Sequence, residues 1–108
     1  MNIKRYSIHL ANLDPTVGSE IRKTRPVVVI SDDMMNKFLE TVVVCPLTTK
    51  LHPKWRSRIQ ISSNGRLSEI AVDQIRAISK RRLIKKLDEL SRSDVVILRQ
   101  LISEMYGE

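Results

Sequence analysis

The sequence predicts a small, mostly antiparallel β-barrel closed by a C-terminal helix. Three observations carry this prediction. Between Ile3 and Ile78, short runs rich in β-branched residues recur, either unbroken or alternating, with turn residues between them. Near the end of the chain one apolar stripe repeats at helical spacing. The chain has 108 residues and 42% hydrophobic content, which suits one modest core and a single domain spanning residues 1–108. Short strands with one terminal helix pack most simply as a barrel with a helical plug.

The elements follow in order. Ile3 to Leu13 alternates loosely, with Tyr6, Ile8 and Leu10 on one side and His9 and Ala11 on the other, and reads as the first strand. Asp14-Pro15 marks a turn, and Gly18 frees the following loop for unusual backbone angles. Pro26 to Ser31 contains Val27-Val28-Val29-Ile30 without a polar break, the pattern of a strand covered on both faces. Asp32-Asp33 caps a short helix over Met34 to Phe38. Thr41 to Cys45 is a β-branched strand that stops at Pro46, since proline cannot donate to a ladder. A polar loop runs from Thr48 to Ser57, and Arg58 to Ile61 alternates as a half-exposed strand. Ser63-Asn64-Gly65 is a turn, and Ser68 to Ile78 is one further strand or a pair. Lys80 to Leu90 fits a helical face through Leu83, Ile84, Leu87 and Leu90, or a helical turn followed by a short strand. Ser91 caps the terminal helix, with Asp94 as the acid of a capping box. Its stripe is Val95, Leu98, Leu101, Ile102 and Met105, and Gly107 ends it.

Charge narrows the partners. The net charge is +7, which suits an anionic partner or else simply a soluble basic surface. Residues 50–86 carry 11 Lys/Arg against Glu69 and Asp73, a balance of +9, whereas residues 87–108 stand at −3. The lone Cys45 lies in an apolar run and reads as a core residue, consistent with a reducing compartment. Two histidines and one cysteine, widely spaced, give no metal-ligand pattern, so neither a metal nor another cofactor is expected. The N-terminus has no long apolar segment and nothing approaches a membrane span, which makes the cytoplasm the expected location.

Several residues are suited to phosphate chemistry. Arg25 keeps its charge and stands at the start of a strand, suited to stabilise a phosphoryl group, or else is a surface charge, the reading composition alone favours. If the strands pair, Thr48 stands beside it as a neutral hydroxyl donor, or else is a strand-end hydroxyl that satisfies local backbone. Ser19 and Glu20 lie beside Gly18. Glu20 either accepts a proton or reads a base edge, or else pairs with Arg22 or Lys23. Asp73, flanked by Gln74 and Arg76, is either a functional carboxylate or the salt-bridge partner of Arg76. Trp55, with His52, Lys54 and Arg56, has the makeup of a stacking platform for unpaired bases, or else folds onto the barrel. No Gly-rich phosphate loop, nucleophile elbow or paired carboxylates are present. An enzyme of this composition is best matched to RNA, whose own 2′-hydroxyl can attack the adjacent phosphorus.

The blocks LDPTVGSEIRKTRPVVVIS, VVVCPLTT and VDQIRAISKRRL, in this order and spacing, resemble the MazF/PemK (Kid) family of toxin endoribonucleases. The resemblance covers nearly the whole chain. It implies an SH3-like barrel with helices, shared with CcdB, assembled as a homodimer. It implies metal-independent cutting of single-stranded RNA at short sequences, leaving 2′,3′-cyclic phosphate and 5′-hydroxyl ends. By the matching motifs Arg25 and Thr48 would be the central catalytic pair, with Asp73 matching an acid implicated in some members. Ser19 stands where some relatives carry histidine, and Ala71 where one branch carries an arginine. Ser19, Glu20, Gln74 and Arg76, with Lys54, Trp55 and Arg56 on the variable loop, would bind RNA. The resemblance also implies an acidic antitoxin lying along the basic groove. The opening departs from the family: Tyr6-Ser7-Ile8-His9 replaces a Gly-acid-apolar-Trp-like run.

Two rivals share this fold class. A CcdB-like toxin binding DNA gyrase would need no catalytic Arg25. A non-catalytic nucleic-acid-binding barrel would bind with strong salt dependence but leave RNA intact.

Overall fold

The computed structural model describes residues 2–63 and 65–108. Seven strands and two α-helices occur in the order β1 (Ser7–Asn12), β2 (Thr24–Val29), α1 (Asp33–Phe38), β3 (Thr41–Thr48), β4 (Arg58–Ser63), β5 (Arg66–Ala71), β6 (Arg76–Ser79), β7 (Leu83–Glu89) and α2 (Arg92–Tyr106). The strand order is β4-β5-β3-β2-β1-β7, with β6 pairing β3 as a branch, and the pairings are antiparallel. The sheet curls into a half-barrel. Its end strands come within side-chain reach, where the Ser63 hydroxyl donates to Asp88 at 3.1 Å.

Strand β3 is the hub, and it corrects the expected stop at Pro46. Thr41–Val44 pairs β6, Val44–Pro46 pairs β2, and Leu47–Thr48 pairs β5. Pro46 sits where β3 leaves β6 and has not yet joined β5, so its missing N–H falls at a gap between ladders. The strand therefore runs on and delivers Thr48 to the sheet's open end.

Apolar residues on β2, on Ile30 just after it and on β3 alternate between two cores. Val28, Ile30, Cys45 and Leu47 join Ile8, Ile59, Ile61, Ile70 and Leu98 in one. Val27, Val29, Val42 and Val44 join Ala11, Leu13 and Ile78 in the other. The unbroken Val27–Ile30 run is thus covered on both faces, as its composition predicts. Each fully buried Val, Ile or Leu contributes about 1.5–3 kcal/mol. Helix α2 lays Leu98, Leu101, Ile102 and Met105 on the first core. Ser91 caps it by accepting from the Asp94 N–H at 3.2 Å, and the Tyr106 hydroxyl ties its end to the Val72 carbonyl at 2.7 Å. Helix α1 is capped by Asp32, which accepts from the Met35 N–H at 2.8 Å.

Other expectations shift. The first strand begins only at Ser7, because Tyr6 adopts φ +68°, the left-handed region that favours glycine. Ser7 and His9 are buried along with Ile8, so β1 is covered on both faces rather than alternating with solvent. Strand β2 starts at Thr24, which places Arg25 inside the strand opposite Ala11. Ser68–Ile78 holds the expected pair of strands, separated by a 3-10 turn at Val72–Gln74. Of the two readings of Lys80–Leu90, the helical turn followed by a strand holds, as a 3-10 turn and β7, and the helical face does not, with Ile84 exposed. Pairing with β1 decides this, since β1 would otherwise present an unpaired edge. In the predicted Ser63-Asn64-Gly65 turn, Asn64 lies outside the described residues; Gly65 has φ +73°.

Candidate active site

The open end of the half-barrel gathers residues from distant blocks. The loop after β1 is held by its own polar groups: Lys23 N–H donates to Asp14 at 3.0 Å and Val17 N–H to Glu20 at 3.0 Å. Its far side is pinned to the 3-10 turn, where the Gln74 side-chain Oε1 accepts from the Ile21 N–H at 2.6 Å. Thr48 ends β3, and its hydroxyl accepts from the Lys50 N–H at 3.1 Å.

A cavity of about 330 Å³ opens between these segments. Ser19 and Ile21 line it from the loop, Thr48 and Lys50 from the end of β3, His52 and Trp55 from the next loop, and Arg58, Asp73 and Gln74 from its floor and far wall. A smaller cavity of about 200 Å³ shares Ile21, Asp73 and Gln74 and adds Glu20 and Arg76. Together they bring six of the sequence-predicted residues besides Thr48 onto adjoining surfaces: Ser19, Glu20, Trp55, Asp73, Gln74 and Arg76.

Arg25 lies across the β2–β3 seam. The register Val27↔Pro46, continued outward, sets Arg25 level with Thr48. The Arg25 side chain lines a separate cavity of about 320 Å³ with Arg66 and Thr49, and its Nε donates to the Arg22 carbonyl at 3.3 Å. Arg56 turns the other way, with Nη2 3.7 Å from Glu104 on α2. Lys54 sits exposed on the loop between them.

The ion pairs differ from both local expectations. Asp73 is not the partner of Arg76. Arg58 takes it in a fork, with Nε 2.8 Å from Oδ1 and Nη2 3.4 Å from Oδ2. Arg76 instead reaches Glu20 at 4.0 Å, so Glu20 does not pair with Arg22 or Lys23. The reason is tertiary: β4 runs under the 3-10 turn and aims Arg58 at it, whereas Arg76 points toward the loop after β1.

Arg58 also donates from Nη1 to Glu69 at 2.8 Å. Glu69 is fully buried and accepts further from the His52 N–H at 2.6 Å and the Gln60 amide at 2.6 Å. Burial opposes ionisation of Glu69, but these donors outweigh it and hold the carboxyl below its usual range. Asp73 is likewise held low: burial raises it, and the Arg58 and Ser57 hydrogen bonds outweigh that. Burial works against the charge on Arg58, and its two carboxylates more than restore it. Cys45 is inert by contrast, with burial and then the Asp73 charge pushing its thiol up to about 12.

Arg58 and Glu69 are functional candidates that sequence reasoning missed. A signal existed. Among the +9 residues 50–86, Glu69 and Asp73 are the only acids, and pairing Ser63 with Arg66 sets Gln60 opposite Glu69. The arrangement offers an anionic acceptor at Asp73, a hydroxyl at Thr48, cations at Lys50 and Arg25, and a half-exposed indole. These are the groups needed to bind and align a phosphodiester. No helix among the described residues is long and apolar enough to cross a membrane.

Known proteins agree with this architecture. The family model "PemK-like, MazF-like toxin of type II toxin-antitoxin system" matches residues 4–106. The chain is 37% identical over 95 residues to Endoribonuclease EndoA of Bacillus subtilis (strain 168), covering 83% of this chain and 82% of the relative. It is 36% identical over 99 residues to Endoribonuclease MazF of Staphylococcus epidermidis, covering 87% and 82%. Among solved structures, MazF (Form-I) from Deinococcus radiodurans superposes with a TM-score of 0.88 at 19% identity, covering 100% of this chain and 99% of that one. An endoribonuclease in complex with its cognate antitoxin from Mycobacterial species superposes at 0.78 and 17% identity, covering 98% and 94%. The fold is that of the MazF toxins, and the chain belongs to the PemK-like, MazF-like toxin family of type II toxin–antitoxin systems.

Proposed function

We propose that this protein is an endoribonuclease toxin that cuts single-stranded RNA at a short sequence without a metal. The observation that carries the reading is the gathering of Ser19, Thr48, Trp55, Asp73 and Gln74 around one cavity, with Arg25 level with Thr48 on the neighbouring strand, in a chain whose relatives are named endoribonucleases. The RNA's 2′-oxygen attacks the adjacent phosphorus and loses its proton, and the bond to the 5′-oxygen breaks as that oxygen gains one. The products are a 2′,3′-cyclic phosphate and a 5′-hydroxyl. Arg25 stabilises the charge that builds on the phosphoryl oxygens, and Thr48 donates a neutral hydrogen bond there. Asp73, held ionised by Arg58, supplies the anionic acceptor. Glu20, Gln74, Arg76 and Trp55 bind the flanking nucleotides, with Lys54 and Arg56 adding attraction to the backbone.

The protein works in the cytoplasm as a homodimer and is silenced by an acidic antitoxin. The +9 balance over residues 50–86 supports such a partner, as does the antitoxin-bound structural neighbour.

The test is digestion of a long single-stranded RNA by purified protein in excess EDTA, beside Arg25→Ala, with both new ends analysed. Cuts at one short motif with cyclic phosphate and 5′-hydroxyl ends, absent in the variant, are expected. Intact RNA on several diverse substrates, from a folded protein, overturns the reading.

A further inference from the structure

Glu69 is an unusual residue to find where it is. It is a carboxylate with no exposed surface, placed level with Thr48 across the β3–β5 ladder. A buried ion is costly unless well paired, and an apolar residue at such a site is often no worse for stability. What Glu69 holds is therefore informative. One oxygen takes the His52 backbone N–H and the Gln60 amide, and the other takes Arg58. Arg58 in turn forks onto Asp73.

The same two partners build the underside of Trp55. The His52 ring stacks on the indole with centroids 3.9 Å apart and planes 20° apart. The Arg58 guanidinium carbon lies 4.7 Å from the indole centroid. Arg58 Nη1 and His52 Nδ1 are only 3.3 Å apart, so both groups press on one face of the ring. Trp55 remains 50% exposed and lines the cavity together with His52 and Arg58.

We propose that Glu69 is a positioning residue for the RNA site: through Arg58 and His52 it fixes the half-exposed Trp55 for an unpaired base and holds Asp73 at the cavity wall. The assignment rests on the RNA-cleavage reading above for its ligand class. The alignment it describes is a property of the free protein. The indole is cation-loaded beneath, and a base stacked on it would meet a pre-built platform rather than a mobile loop.

The experiment uses Glu69→Gln and Arg58→Lys in the full chain, with two readouts. Trp55 is the only tryptophan, so acrylamide quenching of its fluorescence without RNA reports the platform alone. Cleavage of a single-stranded RNA reports the site. In folded Glu69→Gln, judged by circular dichroism, quenching should rise as the underside opens, and kcat/KM should fall on the order of a hundredfold. Arg58→Lys keeps both charges of the buried pair, and therefore the fold, but cannot fork onto both carboxylates. It should move both readouts the same way and decides the matter if Glu69→Gln does not fold. Wild-type quenching in the folded variants overturns the proposal, whatever cleavage does, because any effect would then bypass the platform. Raised quenching with wild-type cleavage also overturns it. If the wild-type protein cuts no RNA, the cleavage reading fails, while the quenching arm still shows whether Glu69 sets Trp55.

Discussion

Arg58 forks onto Asp73 with one hand and holds Glu69 with the other, at 2.8 Å to each carboxylate. One largely buried cation thus joins a residue at the cavity wall to a carboxylate wholly inside the protein. Removing that cation should be severe. Arg58→Ala would leave Glu69 buried without its counter-ion and should cost about 3–5 kcal/mol. Urea unfolding measures this. A loss under about 1 kcal/mol, as for an exposed ion pair, would mean the network relaxes without it.

Acid should unfold the protein in two stages. The His9 ring is fully buried, and burial, then the Lys86 charge, lowers its pKa below 6.5. Its Nδ1 is the buried side-chain atom without a partner among the described residues. The unfolded chain binds a proton at His9 below about pH 6.5 and the folded chain resists, so stability falls from there down to the lowered value. Glu69 and Asp73 are also depressed, so their contribution is present above the usual carboxylate range and fades below about pH 4.5. Urea midpoints from pH 8 to 4 should show the first stage in wild type and lose it in His9→Gln. A flat profile in wild type from pH 7 to 5 would contradict the buried, neutral assignment.

Trp55→Ala should spare the fold and weaken RNA binding by about 1–3 kcal/mol, the usual worth of one stacked base. Fluorescence anisotropy of a labelled RNA with the Arg25→Ala protein, with and without the Trp55 change, measures this without cleavage. Equal affinities would return Trp55 to a packing role.

Leu98 is fully buried and is the helix residue most deeply set in the first core. Leu98→Ala should cost about 2–5 kcal/mol through lost burial and the cavity left behind. Thermal or urea unfolding measures it. Val96, on the exposed side of the same helix, serves as the control, with Val96→Ala changing stability by less than about 0.5 kcal/mol.

Patterns of period two and period three to four were enough to find β2, α1, β4 and α2, because burial of one face or both leaves a local mark. Caps were legible for the same reason: Ser91 and Asp32 bond within three residues of themselves. The motif blocks also pointed to Arg25, Thr48, Asp73 and Gln74, and the structure sets Thr48, Asp73 and Gln74 around one cavity while Arg25 lines another. The reading failed or stayed open where a partner strand decided the outcome. Pro46 looks like a stop, yet β3 passes through it because β6 and β5 pair on either side of that point. Leu83, Ile84, Leu87 and Leu90 fit a helical face as well as a helical turn with a short strand, and only pairing with β1 decides for the strand, over Leu83–Glu89.

The sequence by itself therefore determined the strand-rich composition, the two-sided burial of β2, the terminal helix, the family motifs and the basic character that suits an anionic partner. Tertiary structure alone decided which charges meet. Arg58 is 11 residues from Glu69 and 15 from Asp73, while Arg76 is a nearer neighbour of Asp73 and pairs elsewhere. Charge attraction is long-ranged and indifferent to order along the chain. A buried fork with hydrogen-bond geometry is selected only when folding has excluded water and fixed the strands that carry it.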